Sequence, residues 1–316
     1  MRYLFLFILL LGAAQAQEYP TKSVRLIAAA APGGNPDVLA RMMAARLSDV
    51  FGRAFIVENI PGAGGVVAAE QVARAAPDGH VLMLGDSGAL AINPALNSKL
   101  TYNPLRDFTL ITALAAVPTV LVANPQVSAS SLHEFVALAK AKPGGLSYGS
   151  AGNGSVHHLT MAVFAARAGI DMLHVPYKGG TALVGALLGG EVQSGWSGIP
   201  NVISHIKSGK LKVYAISTAA RSPTLPEVPT TAELGFAGFD IATVIGLQAP
   251  AGTPREVVAR LQSAVAKILR EPEVAQRMAN LAMELRENGT EHYVRFVKED
   301  MERYAQAVKA AGVRQD

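Results

Sequence analysis

The chain has 316 residues, half of them apolar, with 28 basic and 24 acidic side chains and no cysteine. Without cysteine there are no disulfides, thiolate metal sites or cysteine nucleophiles, so an exported protein of this composition is held together by its core alone. A formal charge of +4 draws small anions, and the basic residues lack the stripe and aromatic interleaving of a nucleic-acid reader, so no nucleic-acid partner is expected.

Residues 1–16 read as a secretory signal peptide, with Arg2, then the apolar run Leu4 to Leu11, then Ala14-Gln15-Ala16 before a cleavage at Gln17. That run is too short to span a bilayer, which takes about 20 residues. Charges, Gly and Pro interrupt every later apolar stretch, so the mature protein is expected to be soluble, exported and not membrane-inserted. Its roughly 300 residues suit two ordinary domains.

Short apolar strands then alternate with amphipathic helices. Ser23–Ala29, Phe55–Asn59 and His80–Asp86 carry the strand pattern, and Leu39, Met43, Leu47 and Val50 recur at helical spacing in a helix over Asp37–Val50. Asn35 is expected to cap that helix, with Pro36 and Asp37 in its first turn. Further strands are expected at Thr119–Asn124, Leu146–Ser150, Leu173–Tyr177, Val192–Trp196 and Leu211–Ser217. Ser131-Leu-His-Glu134 and Thr253-Pro254-Arg255-Glu256 read as capping boxes. Behind the second, Val258, Leu261, Val265 and Ile268 form a buried stripe. In the last helix, from about Thr290, Val297, Met301, Tyr304 and Val308 form another. Such alternation predicts an α/β protein of two lobes, each a doubly wound parallel sheet with helices on both faces and a ligand cleft between them. Crossings are expected over Pro104–Pro118 and Arg221–Gly238, dividing the mature chain into lobe 1 (17–115 plus 245–316) and lobe 2 (116–244).

Three strand-to-helix loops are rich in glycine: Ala31-Pro32-Gly33-Gly34-Asn35-Pro36-Asp37, Pro61-Gly62-Ala63-Gly64-Gly65, and Ala151-Gly152-Asn153-Gly154-Ser155. Each offers bare N–H groups at a helix N-terminus, where the dipole favours an anion. Loops at the carboxyl ends of parallel strands border the ligand crevice. A single loop of this kind is as often a plain tight turn; the device recurring in both halves of the chain favours a cleft that holds a carboxylate.

The order of these segments resembles the substrate-binding receptors of tripartite tricarboxylate transporters, the Bordetella uptake family. The resemblance covers the whole mature chain: Tyr19-Pro20, Ala31-Pro32-Gly33-Gly34, Val57-Glu58-Asn59 with Pro61–Gly65, Ala76-Pro77-Asp78-Gly79, Ala91-Ile92-Asn93-Pro94, Ser150–Ser155, His174-Val175-Pro176-Tyr177-Lys178-Gly179 and Ala249–Pro254. It implies a type II-like two-lobed periplasmic receptor, acting as a monomer without cofactor. Such a receptor closes on a small organic carboxylate and delivers it to membrane transporter subunits, or else presents its liganded form to a membrane sensor. Carried over by position, it implies ligand contacts from Pro32, Gly33, Gly34, Ser150, Gly152 and Ser155, partly through water. Gly64, Gly65 and Ser87 fall nearby, with His158 and Tyr177 on neighbouring elements.

This chain departs from the family pattern at two points. Ala30 stands where an aromatic residue is usual, and Ser197, beside Trp196, stands where an Asp is usual. Loss of that Asp predicts a site better suited to an uncharged or purely anionic carboxylate than to an amino acid, with Trp196 either a replacement cleft wall or, as a lone Trp more often is, a core side chain.

An enzyme reading rests on Ser155 and His158 as nucleophile and base. No G-x-S-x-G elbow is present, and no acid is placed to orient His158. His157 and His158 are adjacent, about 100° apart on a helix, which is poor metal-ligand spacing. No catalytic residue and no metal site is therefore expected.

Overall fold

The computed structural model describes residues 19–237, 239–285 and 289–311. The signal segment, its cleavage point after Ala16 and the Gly238 end of the second crossing lie outside the described residues.

Strand β1 (Val24–Ala28) leads to α1 (Asn35–Phe51), β2 (Phe55–Asn59), α2 (Val66–Ala73), β3 (Val81–Asp86) and the short α3 (Asn93–Leu96). β4 (Phe108–Ala123) follows, then α4 (Leu132–Ala141), β5 (Ser147–Ser150), α5 (Val156–Ala168), β6 (Leu173–Pro176) and α6 (Gly180–Gly189). β7 (Ser194–Gly198), α7 (Ile199–Lys207), β8 (Lys212–Ile216), β9 (Ala242–Pro250), α8 (Arg255–Leu269), α9 (Pro272–Asn280), β10 (Glu284–Leu285) and α10 (Thr290–Ala311) complete the described chain.

The strands hydrogen-bond in the order β2-β1-β3-β9-β4-β7-β5-β6, with β8 and β10 also paired to β4. This is a two-lobed α/β fold with a curled sheet and flanking helices. The sheet is not purely parallel. β1, β2 and β3 run parallel, as do β5, β6 and β7, but β9 joins β3 antiparallel and β4 joins β9, β7 and β8 antiparallel. Strand–helix alternation reports parallel units and is silent about long return strands, which explains the difference.

Most of the segment expected as the first crossing is strand and not loop. β4 runs for 16 residues straight through Pro118, pairing with β9 along its first part and with β7 and β8 along its last. Register shifts at Leu110/Thr112, Ala113/Ala115 and Leu121/Val122 interrupt its ladders. Such bulges add local twist, which curls one continuous strand from one layer into the next. Over the described part of Arg221–Gly238 there is neither a helix nor a named strand.

Two of the buried clusters anchor the layers. Leu26, Leu39, Leu47, Leu82, Leu247, Leu261 and Ile268 pack α1 and α8 on one face of the sheet. Leu121, Phe135, Leu159, Phe164, Trp196, Phe239 and Tyr304 bring α4, α5 and α10 together on another. The stripe of α10 is buried at Val297, Tyr304 and Val308, and the helix packs against β4, α3 and α5.

Two expected caps differ in detail. Ser131 does cap α4, its Oγ accepting from the Glu134 N–H at 3.2 Å, but the Glu134 carboxylate turns back to the N–H of Ser130 at 2.8 Å. Helix α8 starts at Arg255 with Pro254 at the cap, because the Thr253 hydroxyl donates instead to the Pro250 carbonyl at 2.7 Å.

Candidate functional site

The first glycine loop ends at Gly34, which caps α1 in extended conformation, so Asn35 is the first helical residue and not the cap. Gly33 has φ +80°, a left-handed conformation that glycine adopts without steric cost. Its N–H donates to Asp37 Oδ2 at 2.8 Å, and Asp37 is also held by Arg41 and by the Asn59 amide. Burial alone would raise the Asp37 carboxyl, but the Gly33 N–H, Arg41 and Asn59 hold it below its ordinary value. The α1 terminus thus already carries one carboxylate, with the structural role expected of it.

The second loop turns through Gly62, Ala63, Gly64 and Gly65, all at positive φ, to start α2. In the third loop, Ser155 caps α5: its Oγ accepts from the His158 N–H at 3.3 Å and donates to the Gly152 carbonyl at 2.6 Å. That hydroxyl is engaged in loop geometry, and the His158 ring faces the Gly154 N–H at 3.4 Å, not the serine. Nucleophile and base are therefore not assembled.

Behind this loop lies a ring stack. The His174 ring lies parallel to His158 with centroids 4.0 Å apart, and Tyr148 stacks on its other side at 4.9 Å. Ser150 Oγ hydrogen-bonds His174 Nε2 at 2.7 Å and accepts from the Gly152 N–H at 3.1 Å. Burial and then the neighbouring His158 push the His174 imidazole down to about 4, and burial lowers His158 as well. A neutral stack supports the loop without placing charge behind it.

The loops meet. The Asn93 amide donates to the carbonyls of Gly88 (2.8 Å), Gly154 (3.2 Å) and Gly64 (3.3 Å). The Ala31–Gly34 loop is held from the opposite side: Thr181 Oγ1 donates to the Pro32 carbonyl at 3.1 Å and Asn201 Nδ2 to the Gly33 carbonyl at 3.2 Å.

Together these segments enclose a cavity of about 500 Å³. Of the residues expected at the site, Gly34, Gly64, Gly65, Gly152, Ser155 and Tyr177 line it. Pro32, Gly33, Ser87, Ser150, His158, Trp196 and Ser197 lie outside the lining. All but Ser197 have a visible alternative role. Pro32 and Gly33 bind α6 and α7 through their carbonyls, and Ser150 and His158 brace the third loop from behind. Ser87 Oγ donates to the Asp300 carboxylate at 3.0 Å and accepts from the Val244 N–H. Trp196 is fully buried against Phe164 and Phe239, a core side chain and not a cleft wall. Ser197, on the adjacent position of β7, is equally buried.

The glycine N–H groups themselves are mostly turned inward. Gly33 donates to Asp37, Gly34 to the Ala31 carbonyl, Gly65 to the Gly62 carbonyl and Gly152 to Ser150. What remains toward the cavity are first-turn N–H groups, such as those of Asn35, Val156, His157 and Gly180, which have no carbonyl four residues back in their helices. The first turns of α1, α5, α6 and α7 and the cap of α2 all reach the lining, so five helix N-termini converge on one space.

Sequence reasoning missed Asp86, His157, Lys178, Asn201 and Thr243, all in the lining. Asp86 ends β3, the position where a parallel strand meets a ligand crevice, so the strand-end rule would have found it. Lys178 lies within a motif already singled out. Thr243 and Asn201 come from β9 and α7 and carry no local signal. Burial pushes the His157 ring down to about 4, and neither ring nitrogen has a hydrogen-bond partner. Among the described residues there is no cluster of three metal-ligating side chains, and no helix is long and apolar enough to cross a membrane.

A cavity closed by helix N-termini from both parts of a curled two-lobed α/β fold defines a solute-binding receptor. The family model described as "Tripartite tricarboxylate transporter family receptor" matches residues 39–313, and the chain belongs to that family. It is 33% identical to Protein BugT of Bordetella pertussis over 95% of this chain and 92% of that one. It superposes with TM-score 0.91 on an R. palustris protein solved with adipate, at 31% identity, covering 94% of this chain and 99% of that one. MatC from Rhodopseudomonas palustris, with bound malate, gives TM-score 0.88 at 33% identity, covering 92% and 100%. The protein is a periplasmic solute-binding receptor of transport type, not an enzyme.

Proposed function

We propose that this receptor captures a small organic carboxylate in the cavity and delivers it to the membrane subunits of a tripartite tricarboxylate-type transporter. The observation that carries the reading is the convergence of five helix N-termini on one cavity lined by no arginine, four of them, α2, α5, α6 and α7, with no acidic residue in their own first turn. Each helix end is worth about 0.3–1 kcal/mol toward an anion, more where partly buried, so the set attracts a carboxylate through backbone dipoles. Lys178, exposed at the rim, adds a cation. The small side chains of Ala30, Ala31, Ala63 and Ala151 leave room for the ligand's carbon skeleton. Relatives solved with adipate and malate support the ligand class.

The lobes proposed are 17–115 with 245–316, and 116–244, joined through the crossings at 104–118, which β4 runs through, and 221–238. Closure about these crossings brings Asn93 onto Gly154, and Thr181 and Asn201 onto the first loop, so ligand and interlobe hydrogen bonds favour the same closed state. A proposed cleavage after Ala16 releases the receptor to act as a monomer.

The test is a thermal-shift screen of refolded, ligand-stripped mature protein against mono-, di- and tricarboxylates. A ligand at 100 times its dissociation constant adds about 2.7 kcal/mol of stability, and a shift confined to one carboxylate class is expected. A second reading, presentation of the closed form to a membrane sensor, uses the same cavity and is separated by uptake assays in a strain lacking the transporter subunits.

A further inference from the structure

The cavity wall contains a polar patch that the carboxylate-holding helix ends do not explain. Asp86 ends β3, and its Oδ1 accepts from the Gly88 N–H at 2.9 Å. Register pairs Asp86 with Ile245 on antiparallel β9, so Thr243, two residues earlier on that strand, lies diagonally across the same face. Both side chains line the cavity. Thr243 is only 3% exposed, and its Oγ1 has no hydrogen-bond partner. A buried hydroxyl without a partner is costly, and a rotation of the Thr243 side chain, which lies in the cavity wall, would offer it to a ligand group there.

We propose that Asp86 and Thr243 are specificity-determining residues that read a hydrogen-bond donor on the ligand, selecting carboxylates that also carry a hydroxyl or amine. This rests on the carboxylate-receptor reading above and narrows it.

Burial raises the Asp86 carboxyl to about 6, with the Gly88 and Ala89 N–H groups opposing it, and in its ionised form it can only accept. The ligand's own carboxylate is repelled by Asp86 and belongs at the helix N-termini. The part of the ligand that meets Asp86 must then donate. A hydroxyl satisfies both residues, donating to Asp86 and accepting from Thr243 Oγ1; an ammonium donates to both oxygens. A plain methylene satisfies neither. A second carboxylate meets like charge. The opposite expectation, that amino acids suit the site poorly, rested on the loss of an Asp at position 197. Ser197 lies outside the lining, and Asp86 provides a carboxylate within it.

The experiment is calorimetric titration of the stripped receptor with two matched sets, succinate, malate and aspartate, and propionate, lactate and alanine. In at least one set, the hydroxyl- or amine-bearing member is expected to bind about tenfold tighter than its plain counterpart, the scale for a site whose buried polar groups are otherwise unpaired. Asp86→Ala should shrink that ratio to within about threefold. Thr243→Val, close in shape, should shrink it in part, which keeps the test open if the Asp86 variant folds poorly. Plain members binding as tightly as substituted ones, or an unchanged ratio in Thr243→Val and a folded Asp86→Ala, overturns this inference and leaves the carboxylate reading standing. If none of the six binds while a longer or aromatic carboxylate does, the inference is overturned for donors at these positions; if no carboxylate binds at all, the underlying reading falls with it.

Discussion

The Asn93 amide donates to the Gly154 carbonyl across 61 positions of sequence, and the same nitrogen also reaches Gly64 and Gly88. One buried side chain therefore sets the spacing between two ligand-facing loops. Replacing Asn93 with Ala leaves three carbonyls without this donor, and should cost about 1–3 kcal/mol in denaturant unfolding. Ligand affinity should fall as well, because the loops would lose their fixed separation. A variant with unchanged stability and affinity would show that the loops are positioned by other contacts.

Gly64 tests the same spacing from the backbone side. A Cβ there would sit 2.6 Å from the Gly154 carbonyl oxygen, too close for any real contact, at a residue with φ +61°. Gly64→Ala should hold the loops apart and weaken carboxylate binding by about tenfold or more, since a misplacement of an ångström is enough to spoil a preorganised site. Calorimetry measures the affinity, and circular dichroism checks that the fold survives.

Thr181 and Asn201 tie α6 and α7 to the loop that leads into α1. Both hydrogen bonds are open to solvent, so each contributes modestly. Thr181→Val and Asn201→Ala should each weaken ligand binding by roughly 2- to 10-fold, the range for one net hydrogen bond. Small-angle scattering of the liganded double variant should show a larger radius at sub-saturating ligand than wild type, because fewer molecules close.

Ser155 separates a structural serine from a nucleophilic one. Its hydroxyl caps α5, so Ser155→Ala should cost about 1 kcal/mol of stability. The variant should bind ligand more weakly through the loosened loop. Ester hydrolysis by the wild type that vanished in this variant would contradict the cap assignment.

Acid should weaken the fold through its histidines. His157 and His174 have pKa values near 4 in the folded protein, depressed by burial from about 6.5. A depressed folded pKa contributes stability above the unfolded value and loses it as pH falls toward the folded one, so the loss runs between pH 6.5 and 4. Asp86, raised to about 6, works in the opposite sense: its contribution is present below its unfolded value and is lost as pH rises through 6. His174→Gln should therefore flatten the acid limb of stability against pH, modestly because the ring is partly reached by solvent. An unchanged limb in both His174→Gln and His157→Gln would place the acid sensitivity elsewhere.

Much of the site was legible because its logic is local. A strand running into Gly-rich loop and helix is written in consecutive residues, and the loops at Gly34, Gly64 and Gly152 could be read from it. What the pattern could not report is where each N–H points. Gly33 and Gly152 give theirs to Asp37 and Ser150, contacts set by side chains on the following turn and the preceding strand. The resemblance places Ser197 in the cleft, with Trp196 beside it, but both faces of β7 are covered, so these adjacent side chains, which point to opposite sides, are both buried. Thr243 and Asn201 arrive from elements distant in sequence, and only the register of β9 and the seat of α7 bring them in. The long β4 was invisible as one element because Pro118 reads as a break; the structure carries the strand through it with bulged registers that no sequence period encodes.

The central claim, that the cavity is a carboxylate receptor built from helix N-termini, is tested most directly by calorimetry. The stripped mature protein is titrated with each carboxylate that shifts its melting point, and then with the corresponding primary amide. The account predicts saturable one-to-one binding of a carboxylate and a loss of at least about tenfold for the amide, which lacks the charge the helix ends attract. Equal binding of acid and amide, or tight binding of a cationic ligand with no carboxylate at all, would contradict it.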